Sequence, residues 1–211
     1  MLDHALSTAM RRRIVAQFKK PTGLVGRLAG VIMANRASNR KRNAWTVQLL
    51  ELKRHHRVLE IGSGPGLALD ACASILTSGY VVGLDHSPVM CAQARSRLAA
   101  AIRSGRADVR LGSVSDLDVE DGSYDRIFSL NVVQFFPDST DAFRRIHACL
   151  SPGGMSATTY QPRLANATRE DAASMAARVE VAMQEAGFVR IERHELALDP
   201  VPAMCVTGLR R

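Results

Sequence analysis

Val58-Leu59-Glu60-Ile61-Gly62-Ser63-Gly64-Pro65-Gly66 is an apolar run of strand formers carrying an acid near its end, followed by three glycines at alternate positions. Glycine at that spacing lets the chain turn sharply and lets a ligand lie against bare backbone. Leu67 to Ser78 then reads as a helix, so the loop delivers a ligand to a helix N-terminus, where unpaired N–H groups converge. The spacing is G-x-G-x-G, one residue shorter in its second half than the dinucleotide-binding G-x-G-x-x-G. Val81-Val82-Gly83-Leu84-Asp85 is a second apolar strand ending in an acid, about twenty residues on, where nucleotide-binding α/β folds place the carboxylate that holds ribose hydroxyls.

Taken together, Glu60-x-Gly62-x-Gly64-x-Gly66 and Asp85 resemble the S-adenosylmethionine site of class I methyltransferases. Further motifs arrive in that family's order. Asp121-Gly122-Ser123-Tyr124-Asp125 with Asn131-Val132-Val133-Gln134-Phe135-Phe136-Pro137-Asp138, and then Leu150-Ser151-Pro152-Gly153-Gly154, are similar to the small ubiquinone/menaquinone-type enzymes. The likeness covers roughly residues 57–209. It implies a Rossmann-like seven-stranded α/β sheet in the order 3-2-1-4-5-7-6, with strand 7 antiparallel and helices on both faces. The pattern of the residues agrees: strand and helix alternate from Val58 onward, and Phe188–Leu196 with Ala203–Leu209 close the chain as a hairpin.

The resemblance also implies roles. Glu60 orients the cofactor's ammonium, while Gly62, Ser63, Gly64 and Gly66 let the methionine portion approach backbone. Asp85 accepts from the ribose hydroxyls, and His86 and Met90 flank the adenine. Ser113 and Val114 stand where the adenine is read, but Ser113 replaces the family's acid, and Asp116 is the alternative partner. Asn131 lies just beyond strand four, at the edge where open sheets bind ligands, and its amide is expected to meet the methionine end. Gln134 and Tyr160 are expected to position the acceptor. Trp45, the only tryptophan, either anchors packing or lines the pocket. No catalytic base is evident and no metal site is expected. The implied cofactor is S-adenosylmethionine, with S-adenosylhomocysteine as product, and the implied acceptor is small or lipid-like.

The remainder of the chain bounds the reading. With 211 residues and 46% hydrophobic content, one core is expected. No apolar run approaches the roughly 18–20 residues that span a bilayer, and the N-terminus lacks a signal-peptide pattern. Cys72, Cys91, Cys149 and Cys205 are widely spaced, which suits reduced core thiols and a cytoplasmic location. Residues 1–57 hold thirteen Lys/Arg against two acids, whereas residues 58–211 hold fifteen Arg against eighteen acids. The division expected is therefore a basic helical arm, 1–56, followed by the methyltransferase domain, 57–211. Within the arm, helices are expected over 1–20, around Leu24–Met33 and over 35–53. The middle one reads as a lid, with an interfacial, peripheral membrane helix as the alternative. A basic arm also suits nucleic acid, which makes a nucleic-acid-associated protein the competing class; an oxidoreductase using NAD is a third, disfavoured by the glycine spacing. Nothing in the sequence bears on oligomeric state.

Overall fold

The computed structural model of the chain describes residues 37–117, 122–164 and 166–211. The helices expected over 1–20 and 24–33, and the turn residue Asp121, lie outside the described residues. Among those described, the elements run α1 (Ala37–Leu49), β1 (Arg57–Ile61), α2 (Leu67–Ile75), β2 (Tyr80–Asp85), α3 (Pro88–Arg97), α4 (Ala99–Arg103) and β3 (Ala107–Leu111). They continue through β4 (Tyr124–Leu130), α5 (Ser139–Cys149), β5 (Leu150–Tyr160), α6 (Arg169–Glu185), β6 (Val189–Leu196) and β7 (Ala203–Leu209). Short 3-10 turns occupy Val114–Asp116 and Val133–Phe135.

The seven strands form one sheet in the order β3-β2-β1-β4-β5-β7-β6. Neighbours are parallel from β3 through β5, and β7 runs antiparallel to both β5 and β6. This is the expected topology. It brings the carboxyl ends of β1, β2, β4 and β5 to one edge.

Period-two alternation divides the buried residues between the faces of the sheet. Leu59, Ile61, Val82, Leu84 and Ile127 pack with α5 and α6, around Phe143, Ile146, Ala176, Val179 and Met183. Val58, Val81 and Phe128 pack on the other face with Leu69, Cys72, Cys91, Ala94 and Leu98. Val47 and Leu50, at the end of α1, belong to this second cluster, so from α1 onward the basic arm shares a core with the strands that follow it. All four cysteines are free and buried; Cys149 lies in the first cluster and Cys72, Cys91 and Cys205 in the second.

Three local features depart from or sharpen the expectations. Residues 89–103, which read in sequence as one helix opened by Ser87-Pro88, fall into two, α3 and α4, divided at Leu98 (φ −88°, ψ 13°). The bond ladder nonetheless passes through it, from Leu98 N–H to the Ala94 carbonyl and from Ile102 N–H to the Leu98 carbonyl. Ser87 caps α3 as its Ser-Pro sequence predicts, its hydroxyl accepting from Met90 N–H at 3.4 Å. The Pro152-Gly153-Gly154 turn interrupts β5 itself: Tyr124 pairs with Leu150 but Arg126 pairs with Met155, so β5 advances five residues while β4 advances two. The looped-out turn is clasped by the last strand, with Gly153 N–H donating to the Arg210 carbonyl and Arg210 N–H to the Gly154 carbonyl, both at 2.9 Å.

Candidate active site

The glycine loop leaves β1 and enters α2 at the shared edge of the sheet. Gly62 and Ser63 both donate their N–H to the Leu84 carbonyl, at 2.7 and 3.1 Å, which pins the loop over the end of β2. The three glycines turn out to have different reasons. A Cβ on Gly62 would fall 2.3 Å from a methyl of Val132, and one on Gly66 would fall 3.0 Å from Leu98. Both glycines permit close internal packing. Gly64, at φ +53°, has nothing within 4 Å of its would-be Cβ and is the one that faces open space.

Around that space stand two buried acids. The Glu60 carboxyl is 2% exposed, and its Oε2 has no hydrogen-bond partner. Burial pushes its pKa well above the usual carboxylate range, the nearby Asp85 adds to the rise, and a bond from the Leu69 backbone offsets part of it. The Ser63 hydroxyl beside it is likewise buried and unpartnered. Asp85 joins two loops: its Oδ2 accepts from Gly64 N–H and its Oδ1 from Ser87 N–H, each at 2.8 Å. Each oxygen keeps further acceptor capacity, since an ionised carboxylate offers about four lone-pair sites. His86 Nδ1 lies 3.8 Å from Asp85 Oδ1 with its ring about half exposed, while Met90 is buried. The position favours a ligand with a cationic group near Glu60 and hydroxyl groups near Asp85.

A vacant acceptor on a buried carboxyl makes a pH-dependent prediction. Below the ordinary carboxylate pKa, Glu60 is protonated in both folded and unfolded chains and contributes no difference. As pH rises through that value the unfolded chain ionises freely while the folded chain does not, so a stability penalty builds up until the raised folded pKa is reached and persists above it. Glu60→Gln should therefore raise the melting temperature of the ligand-free protein at pH 8 and leave it nearly unchanged near pH 4. Thermal denaturation across pH checks this; an equal shift at both pH values would discard the buried-acid argument.

At the end of β3, Ser113 donates both its N–H and its hydroxyl to Asp116 Oδ2, at 2.8 Å each, and these bonds hold the Asp116 carboxyl below its ordinary range. Ser113 and Asp116, the two ends of one 3-10 turn, are thus tied to each other. Val114 is buried in the first core cluster. Asn131 adopts φ +54°, a region asparagine tolerates better than most residues. Its side-chain amide is engaged: Oδ1 accepts Gln161 N–H at 2.7 Å and Nδ2 donates to the Gln161 carbonyl at 3.1 Å. The amide thus fastens the end of β4 to the end of β5. Gln134, exposed, donates to the Asn131 carbonyl at 2.8 Å. Tyr160, half-buried at the end of β5, has its phenol pKa raised by burial and by Asp171. Trp45 is half-buried and packs against the cluster that holds Val47 and Leu50.

Sequence reasoning missed a buried polar group on the same edge: Asn39, Arg42 and Thr46 of α1, with Thr159 and Gln161 at and after the end of β5. Arg42 donates to Gln161 Oε1 at 2.8 Å, and the Thr46 and Thr159 hydroxyls lie 2.8 Å apart. The available signal was spacing, since 39, 42 and 46 fall on one helical face. His147 and His194 sit away from this edge, the first against the Phe188 ring and the second 3.0 Å from the Thr207 hydroxyl. Among the described residues no group of three or more His, Cys, Asp or Glu is placed to hold a metal ion, and no helix is long and apolar enough to cross a membrane.

Comparison with known proteins agrees with this geometry. Residues 58–154 match the family model described as a methyltransferase domain. The chain is 31% identical over 183 residues to the uncharacterized methyltransferase YdaC of Bacillus subtilis, covering 86% of this chain and 97% of that one. It is 33% identical over 101 residues to a trans-aconitate 2-methyltransferase of Variovorax paradoxus, covering 48% of this chain but only 37% of that protein. Among solved structures, an S-adenosylmethionine-dependent methyltransferase from Aquifex aeolicus superposes with a TM-score of 0.71 at 15% identity, over 88% of this chain and 98% of that one.

Proposed function

We propose for this chain, which belongs to the class I S-adenosylmethionine-dependent methyltransferases, the transfer of a methyl group to a small or lipid-like acceptor. The observation that carries the cofactor assignment is the buried Glu60 carboxyl with its unpartnered oxygen, set beside Asp85 and the open space at Gly64. These residues fit the cofactor's parts. Glu60 takes the ammonium, Gly64 and Ser63 lie along the methionine chain, and Asp85 takes the ribose hydroxyls. His86, Met90, Val114 and the Ser113–Asp116 pair border the adenine. Asn131 contributes as the clamp that fixes this edge.

S-adenosylmethionine, when bound, supplies a methyl already activated on a sulfonium sulfur. The chain's own task is then alignment, since holding an acceptor atom in line at near-contact distance accounts for much of the acceleration in such displacements. Gln134 and Tyr160 stand at the rim for that purpose. Tyr160, with its pKa raised, stays protonated at neutral pH and acts as a hydrogen-bond donor rather than a base. A small acceptor is supported by the names of relatives: a trans-aconitate 2-methyltransferase, an arsenite methyltransferase and a ubiquinone biosynthesis O-methyltransferase share 33–35% identity with about half of this chain.

Calorimetric titration with S-adenosylmethionine, S-adenosylhomocysteine and NAD tests the assignment. Saturable binding of the first two alone is expected; binding of NAD alone would overturn it. The excess of thirteen Lys/Arg over two acids in residues 1–57 favours nucleic acid as a second class of partner. Phosphate gripping predicts affinity for RNA or DNA that falls steeply with salt, and a flat salt profile removes that reading.

A further inference from the structure

Among the described residues five large apolar side chains are exposed: Ile75, Leu111, Phe135, Leu164 and Val181. Their distribution is uneven. Val181 lies on α6, and Ile75 ends α2, which starts at the glycine loop and so finishes at the amino edge of the sheet. The other three share the carboxyl edge, where the cofactor site is. Leu111 is the last residue of β3, Phe135 ends the 3-10 turn after β4, and Leu164 lies in the segment after β5. They are 59%, 46% and 78% exposed. Neighbouring strands lie roughly 4.8 Å apart, so in the order β3-β2-β1-β4-β5 these positions spread over roughly 20 Å. The ends of β1 and β2, with Gly64 and Asp85, stand between Leu111 and Phe135. Single apolar side chains are ordinary on a protein surface, but several around one opening, set among charges, mark an interaction site.

The charges on that edge say what the partner is. α1 runs from the carboxyl edge to the amino edge. At its start Asn39 accepts from Arg163, the neighbour of Leu164; past its end the Leu50 carbonyl accepts from Arg126, near the start of β4, at 2.7 Å. Arg40 and Lys41, near the start of α1, are exposed. Two exposed acids here, Asp116 and Asp138, are committed locally, the first to Ser113 and the second to the Asp141 N–H. The chain enters α1 at this edge, and residues 1–36 hold seven Lys/Arg against one acid, Asp3.

Separate apolar points on three different segments, with cations among them, suit a fluid and negatively charged surface. A folded protein partner would need continuous, complementary packing. Nucleic acid would use the cations but not Leu111 and Leu164. We propose that the carboxyl edge rests on an anionic phospholipid bilayer. Leu111, Phe135 and Leu164 enter the interface, Arg40 and Lys41 meet headgroup phosphates, and the cleft opens on the lipid. The proposal deepens the methyltransferase reading, on which it rests for the role of the cleft: the acceptor becomes a lipid-phase molecule taken directly from the membrane.

The test is co-sedimentation of the full chain with vesicles of mixed phosphatidylglycerol and phosphatidylcholine, and of phosphatidylcholine alone, at low and high salt. Binding to the anionic vesicles is expected, weaker without phosphatidylglycerol and falling as salt screens the cations. Leu111→Ser, Phe135→Ser and Leu164→Ser should each weaken it about tenfold, as withdrawal of a large apolar side chain from an interface does. Arg40→Gln and Lys41→Gln should each weaken it about fivefold. Val181→Ser removes a comparably exposed side chain elsewhere and should change nothing. A tryptophan placed by Leu164→Trp should be quenched by brominated phosphatidylglycerol beyond any quenching of Trp45 in the wild-type chain. Calorimetry with S-adenosylhomocysteine keeps the two readings apart: failure of that binding in the wild type refutes the methyltransferase reading, while the docking surface is judged by the vesicles. Two results overturn the docking surface. One is no binding of the wild type to anionic vesicles. The other is binding that the three serine variants reduce no more than Val181→Ser does. Salt-sensitive binding to RNA or DNA in place of vesicles, indifferent to the serine substitutions, would overturn it in favour of nucleic acid.

Discussion

Asp85→Ala should weaken S-adenosylhomocysteine binding by at least about tenfold, the equivalent of 1.4 kcal/mol. The carboxylate lies at the end of β2, 5% exposed, and its two oxygens serve two different loops. Removing it takes away the acceptor proposed for the ribose hydroxyls and also strands the N–H groups of Gly64 and Ser87. The Ser87 donor is buried and stranding it costs about 1–3 kcal/mol, whereas the part-buried Gly64 donor can turn to water, so the variant should also melt at a lower temperature. The two effects are separable. Circular dichroism establishes whether the variant is folded, and calorimetry then gives its affinity. A folded Asp85→Ala protein that binds as the wild type does would refute the ribose assignment.

Gly62→Ala should be the most destabilising single-methyl change in the glycine loop. Its Cβ would lie 2.3 and 2.9 Å from the two methyls of Val132, and the residue would be held at φ +70°. Overpacking of this kind costs about 1–3 kcal/mol, and the left-handed backbone adds about 1–2 kcal/mol for a residue with a Cβ. Together these approach the whole stability of a marginal domain. Gly64→Ala, with open space around it, carries only the backbone part. Urea denaturation should therefore rank wild type above Gly64→Ala and Gly64→Ala above Gly62→Ala. Adding Val132→Ala to Gly62→Ala should return part of the loss. Equal stability of the two alanine variants would show that Val132 yields without cost.

That contrast shows what the sequence can and cannot announce. The strand–loop–helix at Val58–Ile75, the acid ending β2, the Ser87-Pro88 cap and the terminal hairpin are all written in neighbouring residues, and all were legible. Gly62 was legible as a glycine that the loop needs, but not for its reason, which lies 70 positions away at Val132. Asn131 was placed correctly at the sheet edge, yet its amide is occupied by the Gln161 backbone, a partner that only the pairing of β4 with β5 brings near. Arg42 was the larger omission. Basic residues in a run such as Arg40-Lys41-Arg42 read as a solvated face, and only the packing of α1 reveals that the third of them points inward while its neighbours do not. Charge says what a residue prefers; topology decides where it goes.

The four cysteines give the protein an internal clock for its own opening. None is more than 1% exposed, and they are distributed between clusters on opposite faces of the sheet. A thiolate reacts with an alkylating reagent only when solvent reaches it, so labelling of the native chain reports local or global unfolding rather than surface accessibility. Cys149 reads the α5–α6 side and Cys72 the side built on the glycine-loop helix. The order in which their masses shift therefore tells which half of the sandwich loosens first.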